Sequence, residues 1–354
     1  MRVLFISGSS SLHERLEARG VQINSLALPL SRIQSASRLR RKLGQYIPAK
    51  DVLEAIRETV SNFNPDLIHM GTGRPAALAV LTAMKGNRST PLIFDHGAIG
   101  GLNILSPIDH RTFFNRRISK IIVPSHAVVN NWMGNKALAR LISPERCGVL
   151  YHPVVFPKAA DIPPRDEIRA RFGIAPDDFV IGTVCTIRPI KNLPFVADIV
   201  RKVGDKAAFV VVGSLNDLAE VRRIEATGGD TVRLVGEIPN AKTIMSAFDV
   251  FVTPTRLPGE SFGLAPAEAM AEGVPVITMN FGGTAEIIEH GVSGFALSAA
   301  PADWLQTIQM LKSDAELRAR LGAAARVRVA TRFSPERIAE DCIGLYQRTI
   351  AAAS

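Results

Sequence analysis

The sequence predicts an α/β protein built from two doubly wound domains in tandem. Three observations carry this. The chain has 354 residues, and single hydrophobic cores rarely grow past about 250 residues. Short apolar runs alternate with stretches of helical spacing, the pattern of βαβ units and parallel sheets. The alternation pauses at Pro153, Pro157, Pro163 and Pro164 and then restarts.

In the first set, "RVLFIS" reads as a buried strand. The start "MRVLFIS" has no small-residue cleavage site, so it suits a first strand better than a signal peptide. "SLHERLEARG" is a short helix ending at Gly20, and "DVLEAIRETVSNF" has helical spacing. "DLIHMG" is a strand, "RPAALAVLTAMKG" a helix, and "PLIFDHG" and "KIIVPS" strands. "HAVVNNWMG" is a helix with Ser125 and His126 as capping residues, and "CGVLYHPV" a strand. "HPVVFPKAADIPP" reads as an interdomain linker. In the second set, "FVIGTVCTI" is a strand, "LPFVADIVRKVG" a helix, and "AAFVVVGS" and "TVRLVGEI" strands. "AKTIMSAF" is a helix and "DVFVTPT" a strand. The expected domains are 1–155 and 156–332. A final helix over 333–354, with Ser334 as N-cap and Pro335 in its first turn, is expected to pack back on the first domain.

Hydrophobic residues make up 47% and charged residues 21%, a globular composition. No apolar run reaches the ~18 residues that span a bilayer. Cys147, Cys185 and Cys342 are scattered and odd in number, which fits neither a disulfide framework nor a zinc site and suggests a reducing cytoplasm. The net charge of +9 favours anionic partners. Basic residues concentrate at Arg38, Arg40, Arg41 and Lys42, and again at Arg111, Arg116, Arg117 and Lys120 around Phe113 and Phe114. The patches read either as solvated faces or as a peripheral contact with an anionic membrane through Arg116, Arg117 and Phe113. No nucleic-acid-binding signature is visible.

The stretch "GESFGLAPAEAMAEGVPVI" holds the clearest chemistry. An apolar strand enters the loop "RLPGESFG", Pro266 suits a first helical turn, and Gly273 with Pro275 ends the helix. Glu260 then lies on the loop and Glu268 about one turn inside the helix. The amides of Phe262, Gly263 and Leu264, beside Ser261, suit a phosphate. The two carboxylates suit hydroxyls, because an ionised carboxylate accepts from both groups of a diol. That combination fits a sugar nucleotide; the alternative is two acids that merely favour a helix N-terminus. Gly8 and Ser9, with Ser10, lie between a strand and a helix, where amides could meet a phosphate or the acceptor.

This stretch closely resembles the Glu-x7-Glu motif of the retaining glycosyltransferases of family 4, and "FVIGTVCTIRPIKNLP", "TVRLVGEIPN" and "FGGTAEIIEHGVSGFAL" resemble further segments of that family. The resemblance implies a GT-B fold, two Rossmann-like domains facing an interdomain cleft. It implies transfer of a hexose from a nucleoside-diphosphate sugar to a hydroxyl acceptor, as in bacterial polysaccharide or glycolipid assembly. It places Glu268 on the ribose, Glu260 on the hexose, and the backbone at Gly236, Glu237 and Ile238 on the base. Lys191 matches the family lysine on the diphosphate. Thr186 stands where the family has arginine, and Arg188 substitutes if the strand still extends there. His96 in "FDHG" matches a position near donor sugar and acceptor; Asp95 or His96 would be the base of an inverting reaction. No Asp-x-Asp occurs and the seven histidines lack ligand spacing, so no metal and no cofactor are expected. A GT-B epimerase or hydrolase, or a non-catalytic sugar-nucleotide-binding protein, are the alternative functions.

Overall fold

The computed structural model describes residues 1–6, 12–29, 47–71 and 73–353. Gly8, Ser9 and Ser10, and the basic run from Arg38 to Lys42, lie outside the described residues. The chain forms two units. The first comprises Met1–Tyr151 and Pro335–Ser354, the second His152–Ser334.

The first unit holds six parallel strands: β1 (Arg2–Ile6), β2 (Gln22–Leu26), β3 (Leu67–Met70), β4 (Leu92–Asp95), β5 (Ile118–Val123) and β6 (Cys147–Val149), in the order β2-β1-β3-β4-β5-β6. Strand β2 was not marked by an apolar run, because "QINSL" is an edge strand and mostly exposed. The central strands are buried on both sides, which is why they read as continuous apolar runs. One face packs on helices Lys50–Phe63, Arg74–Ala83 and His126–Gly134, with Ile56, Val80, Phe94 and Trp132 in its core. The other face packs on helices Leu12–Glu17 and Pro335–Ala351: Val3, Phe5 and Ile93 meet Ala339, Cys342, Leu345 and Tyr346.

Two expectations for this unit need correction. Phe113 and Phe114 belong to the core, 2% and 8% exposed, with Phe113 stacked on Phe94 at 4.4 Å between ring centroids. Thr112–Phe114 turns inward after the short helix Pro107–Arg111, so Phe113 offers nothing to a membrane. Arg117 bonds the carbonyls of Asn87 and Thr90 and so anchors a loop; Arg116 alone of the trio stays exposed. Ser125 occupies the N-cap position of its helix, yet its buried hydroxyl makes no capping bond and has no partner among the described residues.

The second unit holds β7 (Phe179–Val184), β8 (Ala207–Val212), β9 (Val232–Gly236), β10 (Val250–Thr253), β11 (Val276–Met279) and β12 (Gly294–Leu297), all parallel, in the order β12-β11-β10-β7-β8-β9. The chain winds from β7 outward through β8 to β9 and returns to the other side of β7 at β10. The topological switch point therefore lies between β7 and β10, where open α/β sheets bind ligands beyond their carboxyl ends. "AKTIMSAF" forms 3-10 turns over Ala241–Ala247 instead of an α-helix. The proline-rich segment belongs to this unit: Val154 is fully buried and its amide bonds the Phe333 carbonyl at 2.8 Å. Among the described residues no helix is long and apolar enough to cross a membrane.

Candidate functional site

The loops that follow β7 and β10 meet at the switch point. They are tied by the Arg256 amide to the Ile190 carbonyl (2.8 Å) and by Arg256 Nε to Asn192 Oδ1 (3.0 Å). Lys191, on a 3-10 turn after β7, reaches Glu260 on the loop after β10: Nζ donates to Oε1 at 2.9 Å. Thr253 and Thr255 donate to the same oxygen at 3.1 and 2.8 Å. These threonines escaped the sequence reading. Their spacing of two at a strand end was the available signal, since alternate residues share a face.

All three donors converge on Oε1, and among the described residues Oε2 makes no bond. Burial pushes the Glu260 carboxyl up, but the Lys191 ammonium and the threonine hydroxyls outweigh it and hold it below the usual range. Glu260 is therefore an ionised acceptor with one oxygen fixed and one to offer. Both residues line a cavity of about 210 Å³ with Thr253, Thr255, Leu264 and Ala265. Cys185 also lines it, its thiol pushed up to about 11 by burial and so kept neutral.

The helix Leu264–Ala271 opens on this cavity. Gly263 is its N-cap, with φ of 96°, a left-handed conformation that favours glycine. A Cβ there would lie 2.5 Å from Thr284 Oγ1. With Gly263 as N-cap, the orphan first-turn amides take in those of Gly263 and Leu264 and extend to Ala265; Pro266 has none. Phe262 is buried, its ring edge-on to His152 and Phe333. Ser261 lies close against the next chain segment: a Cβ on Gly283 would come within 2.1 Å of its carbonyl oxygen, and the Gly283 amide bonds the Glu260 carbonyl at 2.6 Å.

Glu268 does not line this cavity. It is half-buried, has no hydrogen-bond or ion-pair partner among the described residues, and burial pushes its carboxyl up against the pull of Lys242. Arg188 is also set apart. Strand β7 ends at Val184, but the backbone at Arg188 is still extended (φ −151°, ψ 154°) and Arg188 shares a concavity with Thr186. Arg188 is exposed and lines a second, open concavity of about 650 Å³ with Thr186, Asp217 and Glu237. Gly236 ends β9, and its carbonyl accepts from the Gly213 amide at 2.9 Å. Glu237 is exposed and Ile238 half-buried in the turn that follows.

In the first unit, His96 follows β4 and is 8% exposed. Its ring lies against Phe113 and Trp132, and Nε2 donates to the Gly100 carbonyl at 2.9 Å. Burial holds its pKa below the usual value, so the ring is neutral near pH 7 with that nitrogen occupied. Among the described residues no cluster of His, Cys, Asp and Glu could hold a metal ion.

The model of the family described as glycosyl transferases group 1 matches residues 164–328, a span that takes in Lys191, Glu260 and Glu268. The D-inositol 3-phosphate glycosyltransferase of Jonesia denitrificans is 32% identical over 55% of this chain and 50% of its own length. The chain thus spans about half the length of that relative. The N-acetyl-alpha-D-glucosaminyl L-malate synthase of Bacillus anthracis is 26% identical over 85% of this chain and 80% of its own. Among solved structures, Anabaena HepE in complex with UDP and glucose superposes with a TM-score of 0.68 at 18% identity, covering 98% of this chain and 100% of that one. The chain has the GT-B fold, and its residues 164–328 match the glycosyl transferases group 1 family.

Proposed function

We propose that the protein transfers a hexose from a nucleoside-diphosphate sugar to a hydroxyl of a glycan or lipid-linked acceptor, with retention, in bacterial polysaccharide or glycolipid assembly. The observation that carries this is the Lys191–Glu260 pair at the switch point, beside the Leu264 and Ala265 amides. The ammonium and the amides would receive the diphosphate, whose negative charge grows as the glycosidic bond breaks. Glu260 Oε2 would accept from a hexose hydroxyl, while Thr253 and Thr255 hold Oε1. Glu268, unpaired and half-buried, would accept from the ribose diol. The base would lie along Gly236 to Ile238, with Arg188 beside Glu237. The nucleotide bound by Anabaena HepE supports a UDP-sugar as first candidate. Lysine and amides together supply the charge stabilisation, so turnover should persist in EDTA.

A thermal-shift and calorimetric screen against UDP-, GDP-, ADP- and TDP-sugars tests the reading. One class of donor should bind and be slowly hydrolysed, with the product anomer retained in NMR. Absence of binding by every donor overturns it.

A further inference from the structure

A chain of polar side chains crosses a buried face of the first sheet. Tyr346, on the helix Pro335–Ala351, lies with Oη 2.6 Å from His69 Nδ1 on β3. His69 Nε2 lies 2.7 Å from Asp95 Oδ1 at the end of β4. His69 is 5% exposed and Tyr346 fully buried, whereas the Asp95 side chain is 33% exposed. The order of protons follows. Burial pushes Tyr346 well above its usual range, so the phenol keeps its proton. A carboxylate can only accept, so Nε2–H donates to Asp95 and Nδ1 accepts from the phenol. These two bonds suit the ring with its proton on Nε2.

Buried polar groups cost stability unless every partner is present, and here each is satisfied. The exposed end of the chain is a carboxylate at the carboxyl end of a parallel strand, where such sheets bind ligands. Among the described residues Asp95 Oδ2 makes no bond, and no lysine or arginine pairs with Asp95. The titratable groups that face His69 are Asp95 from β4, Tyr346 from the last helix and His13 from the helix Leu12–Glu17, whose ring packs 4.0 Å from Phe5. Cys342 faces Tyr346 from the same last helix. A carboxylate with one oxygen fixed, one open and no cation beside it suits a neutral hydroxyl and repels phosphate.

We infer that Asp95 is the hydrogen-bond acceptor for a hydroxyl of the second substrate, and that His69 and Tyr346 are positioning residues that aim its carboxylate. The inference rests on the proposed transfer reaction for the identity of that substrate as a hydroxyl-bearing glycan. The last helix of the chain thus completes the first unit's site through Tyr346.

Nitrogen-15 NMR of the full chain, labelled at histidine, tests this with methyl α-glucoside, α-mannoside and α-galactoside as probes. His69 should show the neutral Nε2–H tautomer. At least one methyl hexoside should move its Nε2 signal in the wild-type protein and leave it unmoved in Asp95→Asn. Tyr346→Phe should shift the Nδ1 signal of a still-folded protein, and its effect on hexoside affinity should vanish in the Asp95→Asn background. A His69 signal silent across all three probes, the opposite tautomer, or an unchanged response in Asp95→Asn overturns the inference. Should Tyr346→Phe unfold the chain, His69→Gln, read by calorimetric hexoside affinity in place of the histidine signal, should weaken binding in the wild-type background and have no effect in Asp95→Asn. Failure of the donor screen with a responsive His69 would overturn the transferase reading and leave the hydroxyl site standing.

Discussion

The acids at the carboxyl ends of the two sheets, Asp95 and Glu260, are held in opposite ways. Glu260 is pinned by an ammonium and two hydroxyls from residues near it in the fold of one unit. Asp95 is held by the His69 imidazole and, through it, a phenol 277 positions from that histidine. The charged partner, with the two hydroxyls, outweighs burial and lowers the pKa of Glu260, and its ammonium would favour a charged ligand beside it. The histidine and the phenol orient Asp95 with no lysine or arginine paired to it among the described residues, which would suit an uncharged ligand. One doubly wound architecture, used twice, holds one acid beside an ammonium and the other beside a histidine and a phenol.

The largest test of this contrast is Glu260→Gln. Turnover of the bound donor should fall by roughly 100-fold, the scale of one lost electrostatic contact in a transition state. Nucleotide affinity, read by calorimetry, should change little. Glu268→Gln should do the reverse, weakening nucleotide binding by about tenfold with turnover at saturation nearly intact. Equal losses from both variants would remove the division of labour between the two acids.

Gly263→Ala probes the rigidity of the second unit's end. It forces a side chain into a left-handed backbone and against Thr284, so urea unfolding should show a loss of roughly 2–4 kcal/mol. Tyr346→Phe should cost less, about 1 kcal/mol for one buried hydrogen bond. A Tyr346→Phe protein as stable as wild type would loosen the comparison from the first unit's side.

The pH dependence is the smallest and most direct contrast within the second unit. Glu260 has a folded pKa below its unfolded value. It contributes stability above the unfolded value of 4.5 that is lost as pH falls through the folded one. Glu268 has a folded pKa above its unfolded value, so its charged form penalises the fold at neutral pH and protonation relieves this on acidification. Urea titrations should therefore find Glu260→Gln less stable than wild type at neutral pH and Glu268→Gln more stable. Both differences should shrink on the acid side of the carboxylate range.

Much of the second unit was legible in the sequence because its site is built from short segments. The loop after β10, the Gly263 N-cap and the first helical turn lie within fourteen residues, and that local order puts Glu260 on the loop and Glu268 inside the helix. Lys191 was named only through the resemblance of its segment to the glycosyltransferase family, and strand order brings it to Glu260. Thr253 and Thr255 were hidden because threonine is ordinary at a strand end. Arg188 stands beyond the end of strand β7 at Val184, a boundary that apolar patterning places only loosely, and lines one concavity with Thr186. In the first unit, Phe113 and Phe114 between basic residues looked like a surface, and tertiary packing turned them into core.

The alternation of apolar runs and helices determined two doubly wound units, since each strand and helix must bury its apolar side within its own neighbourhood. The sequence by itself also determined the acids, the glycine turn and the helix that follows. Only the tertiary structure decided which polar groups meet. Strand order set β7 beside β10 and so brought Lys191 to Glu260, 69 residues away. The return of the last helix brought Tyr346 to His69 and, through it, to Asp95. Contacts of such separation depend on how elements are ordered in a sheet, and no local pattern of hydropathy or propensity encodes that order.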